Sequence, residues 1–239
     1  MNNKYAIGTV IGTALLGLAK SNLLGSKNDG VIVSSVDELI RHANDPSLAP
    51  LVAHVRLQRK NLTTLPPEIW NLKNLAVLNL TDNELTTLPA EIGSLTNLAY
   101  LILTENELTT LPLEIENLKN LKQLNLNYNQ LTTIPKEIGK LTNLERLWLD
   151  SNRLTTLPPE IGNLKNLKSL FLGGNLLMNL PPEIGNLTKL YELYLEENPK
   201  FYMNPEKLGQ LIIHGGSKYI IETIVRANVM PTISNVRLR

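Results

Sequence analysis

The 239-residue chain has no cysteine, which excludes disulfide staples, zinc-thiolate sites and thioester-forming nucleophiles. It has little charge of either sign in excess: 23 basic against 22 acidic residues leave a net +1, too little for a general attraction to nucleic acid or to an anionic membrane. Histidine is scarce, and His42, His54 and His214 fall in three different parts of the chain, so neither a metal centre nor a nucleophile–base pair is expected. No glycine loop with phosphate-binding spacing occurs, and Gly173-Gly174 sits at variable positions of a repeat rather than between a strand and a helix. Long apolar runs are also missing. The longest stretch, Tyr5 to Ala19, falls short of the roughly 20 residues a spanning helix needs, unless Tyr5 to Leu24 is counted whole. No cofactor and no catalytic residue are expected.

What the chain does have is a period. Asn83, Asn106, Asn129, Asn152, Asn175 and Asn198 stand 23 residues apart, each closing the phrase leucine-x-leucine-x-x-asparagine. A strict period in the twenties predicts a solenoid, in which each unit covers its neighbour's apolar face because none can bury that face alone. Within a unit such as LNLTDNELTTLPAEIGSL, Leu78 and Leu80 alternate with Asn79 and Thr81, as in a strand with one buried face. The return segment places Pro89 in a first helical turn, Glu91 at its positive end, and Ile92 and Leu95 on the inward side. The glutamates at 68, 91, 114, 137, 160 and 183 repeat with these turns and read as solvated first-turn residues.

The spelling LPxEIxxLxxLxxLxLxxN over residues 52–199 resembles the leucine-rich repeat family, in the 23-residue class found in bacterial surface or effector proteins and in Ras-group regulators. The resemblance implies an α/β solenoid: an arc with a concave parallel β-sheet, short convex helices and helical caps at both ends. It also implies that the six asparagines form a structural ladder between coils, since an amide both donates and accepts whereas an aspartate only accepts. One period upstream, Val55, Leu57 and Lys60 predict a seventh strand without its asparagine; downstream the array stops near Pro199. Seven strands span roughly 30 Å.

The ends divide into an apolar leader at 1–19, a linker at 20–34, a helical cap at 35–51 and a C-terminal helical cap and tail at 200–239. Ser35 and Glu38 have capping-box spacing before VDELIRHA, and Asn204-Pro205-Glu206 opens a helix that Gly215-Gly216 breaks before a second helical stretch. The leader is compatible with a cleaved signal, an uncleaved anchor that associates with membrane through residues 5–24, or a cytosolic leader. The chain is accordingly expected to be secreted or membrane-anchored, with a cytoplasmic location as the alternative, and monomeric.

Function is sought where the repeat varies. The solvent-facing position between the two strand leucines reads Arg56, Asn79, Ile102, Asn125, Trp148, Phe171 and Tyr194, ending in three consecutive aromatics in a chain only 5% aromatic. The position two earlier includes Tyr100, Arg146 and Glu192, and the position two later includes Asn127, Asp150 and Gly173. Such a stripe reads as a protein-binding patch formed by Trp148, Phe171, Tyr194, Tyr100, Ile102, Arg146, Asp150 and Glu192; the competing reading is cross-strand packing. The glycines at 173 and 174 are expected to leave room beside Phe171. The function expected is a non-enzymatic module binding a protein or peptide on the concave sheet. A cytosolic signalling scaffold of the Ras-group type and a membrane-anchored structural or adhesive envelope protein remain as alternatives.

Overall fold

The structure, a computed structural model, describes residues 30–199 and 201–202. The chain separates into two compact units, 1–31 and 32–239, and all the repeats belong to the second. Strand β1 is Val31–Val33, helix α1 is Val36–Ala43, and β2 is Val52–Arg56. The repeats then give β3 Val77–Asn79, β4 Tyr100–Ile102, β5 Gln123–Asn125, β6 Arg146–Trp148, β7 Ser169–Phe171 and β8 Glu192–Tyr194. The eight strands lie in one sheet in chain order, and every pair from β2 to β8 is parallel with a 23-residue offset, as in Leu78 opposite Leu101 and Leu124 opposite Leu147. The seventh repeat strand is β2, and Arg56 stands opposite Asn79 although the asparagine of that coil is Lys60. Strand β1, within the stretch read as linker, carried no repeat signal.

The convex segments are tighter than the helices expected. Pro67–Asn71, Ala90–Ser94, Leu113–Asn117, Lys136–Lys140, Pro159–Asn163 and Pro182–Asn186 are five-residue 3-10 turns. Pro89 lies one residue before its turn, in extended conformation, instead of inside it. Five residues are too few for an α-helix to repay its nucleation, whereas three residues per turn eclipse positions i and i+3. That geometry sends both Ile92 and Leu95 inward, and both are fully buried with Leu78, Leu80 and Leu98. Neighbouring turns pack so closely that a Cβ added at Gly139 would lie 2.5 Å from the Glu160 carbonyl oxygen, which explains glycine there.

Before each ladder asparagine, and before Lys60 in the first coil, the chain reverses through a left-handed residue: Arg59, Asp82, Glu105, Tyr128, Ser151, Gly174 and Glu197 all have φ between 54° and 63°. Only one of them is glycine, so six coils hold an L-residue in a conformation that costs roughly 1–2 kcal/mol. The turn directs the following asparagine inward. Asn129 Nδ2 donates to the Leu103 carbonyl at 2.9 Å and the Leu126 carbonyl at 3.1 Å, while its Oδ1 accepts from the Leu108 amide at 3.0 Å. Asn83, Asn106, Asn152, Asn175 and Asn198 make the same three types of bond, all of them buried below a tenth of their surface.

At the N-terminal end, Ser35 Oγ accepts the Glu38 amide at 3.1 Å, and the Glu38 carboxylate accepts the Ser34 amide at 2.9 Å, a capping box whose return bond falls one residue early. Leu39 and Ala43 are the buried side of α1, and Asn71 of the first convex turn donates to the Ala43 carbonyl at 3.4 Å. The leader at 1–19 and the C-terminal helices read at 204–225 lie outside the described residues. Among the described residues no helix is long and apolar enough to cross a membrane.

Replacing Asn129 with alanine strips partners from two carbonyls and one amide in the middle of the array, and is expected to destabilise by about 1–3 kcal/mol. Asn129→Asp keeps the bond from Leu108 and loses both donated ones, so it too is expected to lower the urea midpoint. Midpoints equal to wild type for both variants would mean that the ladder does not hold the coils.

Candidate functional site

The parallel register places the variable positions in straight columns across the concave face. Opposite one another in succession stand Arg56, Asn79, Ile102, Asn125, Trp148, Phe171 and Tyr194. The second column runs His54, Val77, Tyr100, Gln123, Arg146, Ser169 and Glu192. Trp148 and Phe171 stack with centroids 6.0 Å apart and planes at 20°, and Phe171 and Tyr194 at 4.7 Å and 7°. Strands set about 4.8 Å apart bring the rings of one column within the range of offset stacking, so the spacing of the sheet itself produces the stack.

The stack is graded in exposure. Trp148 is only 5% exposed, Phe171 is half-buried and Tyr194 is 44% exposed. A uniformly solvent-facing stripe was expected, and for Trp148 that is corrected: its ring stacks on Phe171, is buried, and belongs to the packed part of the face. Tyr100 and Ile102 are half-buried and lie on β4, two strands from Trp148, so they flank the stack without joining it.

A polar ladder borders the aromatics on one side. Asn127 Oδ1 accepts the Asp150 amide at 2.8 Å, and Asp150 Oδ1 accepts the Gly173 amide at 2.8 Å, each linking one coil to the next. Asn127, read as an open surface position, is 5% exposed and its Oδ1 is bonded. The room expected beside Phe171 is also smaller than two bare glycines suggest. Gly174 serves the left-handed turn at φ 63° beside Ser151, and a Cβ on Gly173 would already lie 3.3 Å from Asp150 Oδ1. On the other side of the stack the Ser169 hydroxyl donates to the Glu192 carboxylate, while Arg146 stands half-buried one strand before Ser169.

Burial pushes the Asp150 carboxyl up to about 6, the carboxylates of Glu196 and Glu197 add to the rise, and the amides of Gly173 and Asn127 oppose it. The three ion pairs among the described residues lie elsewhere: Arg59–Asp82 at 2.9 Å, Lys140–Glu116 at 2.6 Å and Lys168–Glu145 at 2.8 Å. Arg59, at the β2 end of the face, is therefore paired with Asp82, whereas at the β8 end Glu192, Glu196 and Glu197 form no ion pair among the described residues.

A second asparagine column went unread in the sequence. The amides of Asn74, Asn97, Asn120, Asn143 and Asn166 each donate to a carbonyl 24 residues earlier, at 2.8–2.9 Å except 3.0 Å for Asn120. This column rims the entrance edge of the sheet, where Asn97, Asn120, Asn143, Asn166, Ala99, Lys122 and Glu145 line an open groove of about 520 Å³. The signal was present as the asparagine of the recurring Leu-x-Asn-Leu before each strand, which by itself reads as a loop residue.

Because the folded-state carboxyl of Asp150 titrates above the ordinary aspartate value of 3.8, its protonated form is the stabilising one. That stability is complete below about 4 and is lost as pH rises through about 6. Asp150→Asn keeps an acceptor for the Gly173 amide and carries no charge, so it is expected to be more stable than wild type by about 1–2 kcal/mol at pH 7.5 and nearly equal to it at pH 4. Thermal melts of both proteins at the two pH values check this; parallel pH dependences would show Asp150 to be well solvated.

The family described as leucine-rich repeat region matches residues 51–153, and the one described as leucine rich repeat matches 142–199. No curated protein matches the chain in sequence. Among solved structures, the leucine-rich repeat ectodomain of a plant membrane receptor kinase from Arabidopsis thaliana, in complex with CASPARIAN STRIP INTEGRITY FACTOR 2, is 33% identical over 70% of this chain and 20% of its own, with a TM-score of 0.58. The leucine-rich repeat domain of the type III effector XopL is 27% identical over 83% of this chain and 63% of its own, at a TM-score of 0.59. A leucine-rich repeat protein of Leptospira interrogans is 32% identical over 76% of this chain and 62% of its own, at a TM-score of 0.40. This chain thus spans a fifth of the first and under two thirds of the other two. Matched without a gap from residue 51 to 199, in a parallel sheet whose coils are tied by an asparagine ladder, the chain is a leucine-rich repeat protein.

Proposed function

We propose that this protein is a non-enzymatic interaction module whose concave sheet takes a protein or peptide at its C-terminal half. The observation that carries the reading is the aromatic stack that emerges from the packed face at Trp148 and ends exposed at Tyr194. A ring held flat by its neighbour loses little entropy on binding, and tyrosine joins an apolar body to a hydroxyl, which makes such residues frequent anchors of interfaces. Likeness to a receptor ectodomain that is in complex with a partner supports the same reading.

The grading of the stack separates its two roles. Tyr194→Ala is expected to weaken binding of a captured partner at least about tenfold while lowering stability by about 1 kcal/mol, the value of one stacking contact. Trp148→Ala removes a buried ring and is expected to cost about 3–5 kcal/mol of folding stability. Titration calorimetry and urea unfolding of the two variants check this; full-strength binding by Tyr194→Ala would move the interaction surface away from the stack.

We also propose that residues 1–19 direct the chain out of the cytosol, on the strength of the apolar run from Tyr5 to Ala19 between Lys4 and Lys20. Deleting them is expected to leave a folded, soluble repeat domain that no longer reaches the exported or membrane fraction. Recovery of the full-length chain wholly in the soluble cytosolic fraction, with Met1 retained, would support the signalling-scaffold alternative instead.

A further inference from the structure

The groove along the strand-start edge carries a charge that the chain as a whole does not. The position just before His54, Val77, Tyr100, Gln123, Arg146 and Ser169 holds Ala53, Ala76 and Ala99 and then Lys122, Glu145 and Lys168. The amides of Glu145 and Arg146 both donate to the Lys122 carbonyl, at 2.8 and 3.1 Å, so these three side chains start from adjoining backbone. Lys168 pairs with Glu145 at 2.8 Å, and neither Lys122 nor Arg146 has an ion pair among the described residues. The hydrogen bond from Lys168 holds the Glu145 carboxyl below its ordinary value against the opposing effect of burial, and the charges of Lys168, Arg146 and Lys122 lower it further. One carboxylate is thus shared by three cations. Glu192, which adjoins Lys168, accepts from the Ser169 hydroxyl, so the unmatched positive charge lies at Lys122 and Arg146. Beside Lys122 in the groove, Asn120 and Asn143 each donate one amide hydrogen to the preceding coil, to the carbonyls of Thr96 and Lys119, and the second hydrogen of each has no partner among the described residues.

We propose that this groove takes an acidic peptide segment of a protein partner, laid across the coils from Asn97 to Asn166, with a glutamate or aspartate carboxylate seated at its margin between Lys122 and Arg146. The site is separate from the aromatic stack and does not rest on it. A guanidinium fork, an ammonium and two amide hydrogens are the donors available at that margin, a set that matches a carboxylate. The oxygens of Asn97, Asn120 and Asn143 add acceptors one coil, about 4.8 Å, apart, so a chain that carries its own N–H groups finds partners along the groove, whereas a free anion uses only one point of it. Ala99, bare where the next coils carry Lys122 and Glu145, leaves the groove open toward β4, so the segment runs past the charged point and the carboxylate is that of a side chain.

The test uses the full chain and two fluorescein-labelled octapeptides, capped at both ends so that no terminal carboxylate is present, one alternating alanine with glutamate and the other alanine with glutamine. By fluorescence anisotropy the glutamate peptide is expected to bind at least about fivefold more tightly, the difference shrinking as salt is raised. The double variant Lys122→Gln with Arg146→Gln is expected to lose about fivefold for the glutamate peptide and to hold the glutamine peptide within about twofold. Should that variant melt at a lower temperature, Lys122→Glu, at an exposed side chain, is expected to lose at least as much with no change in melting, while the matched reversal Lys136→Glu on the convex turn stays within about twofold. Equal affinity for the two peptides, no binding of either, or an equal loss in Lys136→Glu would overturn the proposal. So would capture of an oligouronate of the same charge by a chain that binds neither peptide, which would make the groove a site for an acidic glycan.

Discussion

The structure depends on one side chain repeated six times. An asparagine amide has two donor hydrogens and an acceptor oxygen on one short stem, and in this solenoid it spends them on two carbonyls of adjacent coils and one amide of the preceding coil. Nothing else in the repeat can satisfy a backbone that turns sharply under a leucine core. The turn needs a left-handed residue, which is costly for aspartate, glutamate or tyrosine, yet the chain uses such residues at Asp82, Glu105 and Tyr128. Three buried bonds to the next residue offset that strain, so the position before the asparagine is free to vary in chemistry. The ladder therefore fixes the coil spacing, and the spacing fixes where every concave side chain stands.

The chain length of the repeat and the identity of its buried face were legible because both are set locally. Leucine alternation gives the strand, the 23-residue period gives the register, and the register gives the columns from Arg56 to Tyr194 without further information. Exposure along a column was not legible, because it depends on what neighbouring coils do. Trp148 looks solvent-facing by alternation, yet it is covered, while Tyr194 at the end of the same stack remains open. Asn127 likewise looks like a spare concave polar residue until the Asp150 amide of the next coil is placed against it. The 3-10 form of the convex turns was not legible because an apolar pair three residues apart, as in Ile92 and Leu95, fits one face of an α-helix and of a 3-10 turn alike. Strand β1 was missed for a simpler reason: three residues outside the period, Val31 to Val33, give no pattern to count.

The two asparagine columns show how a solenoid divides labour between the two ends of its strands. The buried column follows each strand and is needed for the chain to turn, so every lone pair and hydrogen available is spent inside the protein. The outer column, Asn74 to Asn166, precedes each strand and bonds one coil to the last through its amide hydrogens. Where the period carries Lys189 in place of asparagine, the lysine reaches back to Asn166 Oδ1 at 2.7 Å, so the seam continues by a different donor. An exposed seam tolerates such exchange because water can satisfy what the substitute does not; a buried one does not.

The aromatic stack sits between these extremes, and its grading follows from the same rule. Trp148 is buried although only one ring stacks on it, so the packing around it places its energy in the fold. Tyr194, which stacks on Phe171, keeps 44% of its surface exposed. On the proposed function, stability is concentrated toward Trp148 and recognition toward Tyr194, along a single column whose register neither residue determines.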